Sequence, residues 1–279
     1  MKKILVPTDF SEQATFALDL AVQIAKKNNG EVHVLHVLEL PDGHSLNFTG
    51  EVAAGDPMTG VFVAQLVNKA KKSLGAINKK YANENVHTHL EGGHTFRSIS
   101  NSISKKKIDL VVMGTKGSSG IDELLIGSNA EKVVRNADCP VITIKAKTNA
   151  DKIKNIVFAT DLGGKQEKLV KKVKALQEAF NAKLHILRVN TPGNFENERA
   201  IKRRMEGFAK DNKLSNVTHN IYSDVLEDDG IMYFAESIKA DMIAIGTHGR
   251  QGFMHILAGS IAEDLVNHAK RPVWTCKIG

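Results

Sequence analysis

The chain reads as an α/β protein made of two tandem domains, each an open parallel five-stranded sheet with helices on both faces. Two observations predict it. Short apolar runs without polar alternation, as in strands buried on both faces, alternate with amphipathic segments. The whole pattern also occurs twice, which points to duplication rather than to a solenoid of many short units. Ile4-Leu5-Val6-Pro7-Thr8-Asp9 returns 152 residues later as Ile156-Val157-Phe158-Ala159-Thr160-Asp161. The run Asp109 to Gly114 returns 132 residues later as Asp241 to Gly246, and Cys139-Pro140-Val141 returns at the same offset as Arg271-Pro272-Val273. The second half is therefore shorter by 20 residues between its first and fourth strands. Domains are expected over 1–148 and 149–279.

Within the first half, residues 2–8 form the first strand. Ser11 and Glu12 open a helix in which Phe16, Leu20 and Ile24 recur at spacing four, and Asn28-Asn29-Gly30 ends it. A second strand spans 31–37, and residues 39–58, carrying Pro41, Gly43, Gly50, Gly55 and Pro57, read as a long irregular loop. A helix over 62–81, a strand over 86–90, a helix over 96–104, a strand over 110–114, a helix over 129–136 and a strand over 141–145 complete the half. The second half is expected to place strands near 153–159, 183–189, 217–222, 242–246 and 273–278. Its helices fall near 166–180, 196–211, 226–239 and 260–268. Parallel sheets of this kind take ligands beyond the carboxyl ends of their strands, where the connections change direction. The apolar last strands, 141–144 and 273–275, would be exposed edges unless covered, so they are expected to pair antiparallel or pack closely, making an intramolecular pseudo-dimer.

Composition bounds the function. The 279 residues are 42% hydrophobic and 25% charged, enough to build a core and too apolar for global disorder. The net charge of +7 is divided evenly, with 18 basic against 15 acidic residues up to position 148 and 20 against 16 after it. With aromatics at 5%, this argues against a dedicated nucleic-acid surface. No run of eighteen apolar residues suggests a membrane span, and the start MKKILVPTDF is too soon interrupted for a signal peptide. Two cysteines, Cys139 and Cys276, make neither a disulfide framework nor a zinc knuckle, so a cytoplasmic location is expected.

Three features could carry chemistry. Asp9 and Asp161 follow the first strand of each half, where a carboxylate can accept a hydrogen bond from a ligand; helix capping is the competing explanation. After each fourth strand comes a glycine pattern, Gly114-x-x-Gly117 then Gly127-Ser128, and Gly246-x-x-Gly249 then Gly259-Ser260, with nine residues between the second and third glycines. Glycines there let backbone N–H groups face a concavity, and Gly-Ser opens a helix whose N-terminus favours phosphate. A dinucleotide G-x-G-x-x-G after the first strand and a P-loop are both missing. The third feature is His87 and His89, sharing a strand face with His94 five residues beyond, a combination that could hold zinc although no cysteine joins it. His33 and His36 lie on opposite faces and cannot chelate together.

PTDFS near the start, VVMGTKGSSG, GSNAEKVV and DCPVITIK, with IAIGTHGRQG, GSIAEDLV and RPVWTCKI in the second half, resemble the universal stress protein family over nearly the whole chain. The resemblance implies a Rossmann-like, adenine nucleotide alpha hydrolase-like fold and binding of ATP, or of ADP or AMP, with Mg2+ as an optional companion. It implicates Asp9, Val37, Gly114, Gly117, Gly127, Ser128 and Asn129 in the first half. In the second it implicates Asp161, Val189, Gly246, Gly249, Gly259, Ser260 and Ile261, and Arg250 joins them as a phosphate clamp. The second half departs in having Ala159 for Pro7 and Leu162-Gly163-Gly164 for Phe10-Ser11-Glu12. The expected function is a nucleotide-binding stress-response regulator with an unidentified protein partner and an open question of homodimerisation. A slow ATPase and a ligand-free interaction module remain as alternatives. Local charge points polyphosphate to the second half, whose segment 250–258 carries Arg250 and His255 and no acid, whereas 118–126 carries Asp122 and Glu123.

Overall fold

The computed structural model describes residues 1–39, 45–46, 52–53, 57–115, 126–163, 166–248 and 257–278. The first half contains β1 (Lys3–Pro7), α1 (Glu12–Asn28), β2 (Glu31–Leu38), the two-residue strands β3 (Ser45–Leu46) and β4 (Val52–Ala53), α2 (Pro57–Lys80), β5 (Val86–Gly92), α3 (Thr95–Lys106), β6 (Leu110–Gly114), α4 (Ser128–Asn136) and β7 (Val141–Ile144). The second contains β8 (Asn155–Ala159), α5 (Glu167–Phe180), β9 (Lys183–Asn190), α6 (Glu198–Asp211), β10 (Val217–Ser223), α7 (Glu227–Ser237), β11 (Met242–His248), α8 (Leu257–His268) and β12 (Val273–Ile278).

Local signals account for the boundaries. Ser11 caps α1, its side chain accepting from the Ala14 amide, and Asn29 closes the helix in the left-handed conformation. α2 starts at Pro57, five residues before the start expected from periodicity, because proline at a first helical position sacrifices no hydrogen bond. The stretch expected as irregular loop holds the short antiparallel pair β3–β4.

The two expected sheets are one. Its order is β10-β9-β8-β11-β12-β7-β6-β1-β2-β5, so each half runs 3-2-1-4-5 in its own strand order. All pairs are parallel except β12–β7, where Val273, Trp274 and Thr275 face Thr143, Ile142 and Val141 across an antiparallel seam. The expected pairing of the last strands is what joins the halves.

One hydrophobic cluster covers each sheet face, and each crosses the seam. On one face α1, α2, α5 and α6 pack on Ile4, Val34, Ile142, Phe158 and Trp274. On the other α3, α4, α7 and α8 pack on Leu5, Leu35, Val111, Val157 and Ile243. Helices after β1 and after β6 thus lie on opposite faces, which leaves a crevice at the carboxyl ends of those two neighbours. β8 and β11 make the same crevice in the second half. No helix among the described residues is long and apolar enough to cross a membrane.

Candidate functional site

In the first half the turn after β1 is built from its own side chains. Thr8 Oγ1 accepts from the Phe10 amide at 3.0 Å, and Asp9 Oδ1 accepts from the Ser11 amide at 3.0 Å. Ser11, not Asp9, caps the helix, so the capping explanation of Asp9 is replaced by a local Asx turn. The turn sets Phe10 at φ 65°, the left-handed region that a bulky residue occupies only with strain. Phe10 lies against His36, whose Nδ1 is 2.7 Å from the Thr8 carbonyl oxygen, and the Thr8 amide donates to Leu35 O. Val37 follows His36 near the end of β2.

Gly114 lies across the crevice. A Cβ on it would come 2.8 Å from Gln13 Cβ and 3.1 Å from the Gln13 carbonyl carbon. The glycine is there to let the start of α1 close onto β6, a packing reason beside the expected role of admitting a ligand. Thr115 Oγ1 donates to Gln13 Oε1 at 3.3 Å, and the Gly127 amide donates to Thr115 O at 2.7 Å. Asp9, Gly114, Gly127 and the N-terminus of α4 therefore belong to one connected edge. Gly127 is the N-cap residue of α4 and brings no capping side chain; Ser128 is exposed and Asn129 half-buried. The N-cap residue therefore leaves the first-turn amides to other partners, such as an anion.

The second half repeats the turn. Thr160 Oγ1 accepts from the Leu162 amide at 3.0 Å, Asp161 Oδ1 accepts from the Gly163 amide at 2.9 Å, and Leu162 sits at φ 61°. Gln166 joins this turn: its Oε1 accepts from Thr160 Oγ1 at 2.8 Å, and its amide donates to the Asp161 carboxylate. Arg204 of α6 donates to the Asp161 carbonyl at 2.6 Å and to both oxygens of Glu196. Val189 is buried and would be met at 2.7 Å by a Cβ on Gly230. Gly246 is tight for packing, with Ile278 Cδ1 and Leu169 Cδ2 at 2.6 and 2.7 Å from a Cβ there. α8 begins at Leu257, so Gly259 and Ser260 lie inside its first turn, where the first half has a cap, and Ile261 is half-buried.

Gly117, Gly249 and Arg250, with Asp122, Glu123 and His255 of the charge comparison, lie outside the described residues. Gln166, Arg204 and Glu196 were not legible in the sequence, since they reach the turn from separate elements and carry no motif. Equally unforeseen is the contact between halves at this edge. The Ile126 amide donates to Asn267 Oδ1 at 2.8 Å, Lys145 Nζ donates to Asn267 O, and Arg135 pairs with Glu263 at 2.8 Å.

The three expected histidines do not converge. His94 is the N-cap residue of α3, whereas His87 and His89 join His33 of the neighbouring strand. Among the described residues no group of three or more His, Cys, Asp or Glu side chains forms a metal site. Cys139 and Cys276 are buried free thiols, and burial pushes Cys139 up to about 12, far from nucleophilic.

Duplicated 3-2-1-4-5 sheets with a strained, Asp-bearing turn facing a glycine-bearing strand define a tandem α/β protein with its candidate sites at the carboxyl edge. The universal stress protein family model matches residues 1–145 and again 152–277, and the chain belongs to that family. A universal stress protein of Methanocaldococcus jannaschii is 35% identical over 52% of this chain and 82% of its own length. One from Bacillus subtilis is 31% identical over 51% of this chain and 98% of its own. The crystal structure of a universal stress protein from Archaeoglobus fulgidus matches 99% of this chain and 98% of its own with a TM-score of 0.77 at 22% identity, a likeness of fold.

Proposed function

We propose that this chain is an adenine-nucleotide-binding stress-response regulator, with a crevice of the same kind in each half. The observation that carries the reading is the repeated turn. At equivalent positions after Asp9 and Asp161, Phe10 and Leu162 hold φ 65° and 61° without being glycine. The other repeated left-handed positions, Asn29 with Asn181 and Lys107 with Lys239, lie at helix ends, whereas these two lie at the carboxyl edge of the sheet beside an aspartate. Asp9 and Val37 would take the adenosine end, Gly114 and Gly117 the ribose side, and Gly127, Ser128 and Asn129 the phosphates. The N-terminus of α4, whose N-cap residue is a glycine, fits that last role, because its amides and positive dipole end suit phosphate oxygens.

The second half offers the equivalent set Asp161, Val189, Gly246, Gly249, Gly259, Ser260 and Ile261, with Arg250. There the Asp161 carboxylate is engaged by Gln166 and the turn is clamped by Arg204. A nucleotide would have to displace a side-chain amide before reaching the acid, a cost of about 1 kcal/mol in lost hydrogen bonding. A change of nucleotide state would be passed to a protein partner through conformation.

The test is direct. Purified protein is denatured, and the supernatant is analysed by absorbance and chromatography for adenine nucleotide. Released ATP, ADP or AMP supports the reading. No release, together with no heat on titrating ATP into the native protein, overturns it.

A further inference from the structure

The face covered by α3, α4, α7 and α8 carries opposite charges in its two halves. The offset of 132 residues sets α7 on α3 from the first residue, Glu227 on Thr95, and places Asp229 on Arg97 and Asp264 on Lys132. In the first half His94, Phe96, Arg97, Lys132 and Asn136 line an open groove of about 450 Å³ between α3 and α4, with no acid in its lining. Among the described residues none of Arg97, Lys132, Asp229 and Asp264 is in an ion pair. The two surfaces cannot satisfy each other within one chain, because α4 and α8 meet between them, where Arg135 pairs with Glu263.

The surfaces also differ in relief. Leu226, the N-cap residue of α7, and Tyr233 are 54% and 58% exposed. With Asp229 they recur at i, i+3 and i+7, so they project from one side of the helix as an acidic ridge with a large side chain at each end. The equivalent residues of the first half are His94, Arg97 and Asn101, beside a groove that has half-buried Phe96 in its lining.

We propose that these are the two sides of a contact between two copies of this chain: the α7–α8 ridge of one copy seats in the α3–α4 groove of the other, with Leu226 and Tyr233 against Phe96 and with Asp229 and Asp264 opposite Arg97 and Lys132. A twofold axis lying between the facing surfaces, at right angles to the line that joins groove and ridge, makes the contact twice and closes the assembly at a dimer. A second copy is the favoured partner because a chain carrying both signs at equivalent positions is complementary to itself. Asp264 is in keeping with this. Burial and then the neighbouring Asp228 push its pKa up, which His268 only partly counters, and cations from the partner would relieve that repulsion. The 12 residues of α3 span about 18 Å and two helices side by side about 20 Å, so two such faces on each copy bury about 1,400 Å² in all, at the lower end of specific interfaces.

Sedimentation equilibrium of the full-length, untagged chain at micromolar concentrations is expected to show a monomer–dimer equilibrium that weakens as salt is raised. Arg97→Asp and Asp229→Arg each set like charges against one another at both contacts and should weaken the dimer at least tenfold. Mixing the two single variants, or combining both changes in one chain, restores opposite charges and should recover dimerisation. Circular dichroism shows whether each variant is folded; should Asp229→Arg fail to fold, Lys132→Glu with Asp264→Lys makes the same exchange. A chain that stays monomeric at its highest soluble concentration, as a surface suited to a different protein would leave it, overturns the proposal. So does a dimer indifferent to both reversals, and so does a failure of the mixed variants to associate.

Discussion

The backbone amide of Ile126 donates to the side-chain oxygen of Asn267 at 2.8 Å, across 141 residues of sequence. Ile126 immediately precedes the N-cap residue of α4, so the C-terminal part of α8 in one half holds the phosphate end of the candidate site in the other. Asn267→Ala should release it and weaken ATP binding by the first half by about three- to tenfold, the equivalent of one hydrogen bond. Calorimetry on the variant measures this; an unchanged affinity would mean that the contact serves only the seam.

Gly114 and Gly246 are equivalent in sequence and unequal in surroundings. A methyl on Gly114 meets the backbone and Cβ of Gln13, which cannot turn aside, whereas one on Gly246 meets the ends of the Ile278 and Leu169 side chains. Gly114→Ala should therefore cost about 2–3 kcal/mol and Gly246→Ala about 1 kcal/mol or less. Denaturant melts of the two variants compare them, and equal losses would contradict the packing argument.

Trp274 is fully buried beside Ile142 at the antiparallel seam, and both hydrophobic clusters continue across it. The two halves should therefore unfold together. Scanning calorimetry is expected to give one transition for the unaltered chain. Trp274→Ala should cost about 3–5 kcal/mol and uncouple the halves into two transitions.

Stability should fall in mild acid on account of His89. Its folded pKa of about 4 lies below the unfolded value of 6.5, so between these values the unfolded chain binds the proton and the folded chain does not. The contribution is intact above pH 6.5 and is lost as the pH falls toward 4. Discounted for the partial exposure of the ring, it amounts to about 1–2 kcal/mol. Thermal melts from pH 7 to pH 4.5 should show a smaller decline in His89→Asn than in the unaltered protein; parallel declines would place the sensitivity elsewhere.

The order of strands and helices was legible because buried parallel strands write themselves as apolar runs and because the pattern occurs twice. Ser11 and Asn29 announced the ends of α1, and the strands 141–144 and 273–275 announced the seam through their apolar edges. What the sequence could not show depended on distant residues. Gln166 and Arg204 occupy the Asp161 turn from two different elements, and Asn267 reaches Ile126 from the other half. The histidines show the same limit. Alternation on one strand grouped His87 with His89, but register between strands, which spacing along the chain does not encode, brought in His33 and left His94 aside.

The central claim is tested most directly by titrating ATP into the unaltered protein, Gly127→Val and Gly259→Val by calorimetry, with circular dichroism to establish that each is folded. A side chain at either glycine intrudes where phosphate oxygens would approach the backbone. The account predicts binding by the unaltered chain, weakened binding in each single variant and none in the folded double variant. ATP binding of undiminished affinity in the folded double variant would contradict it.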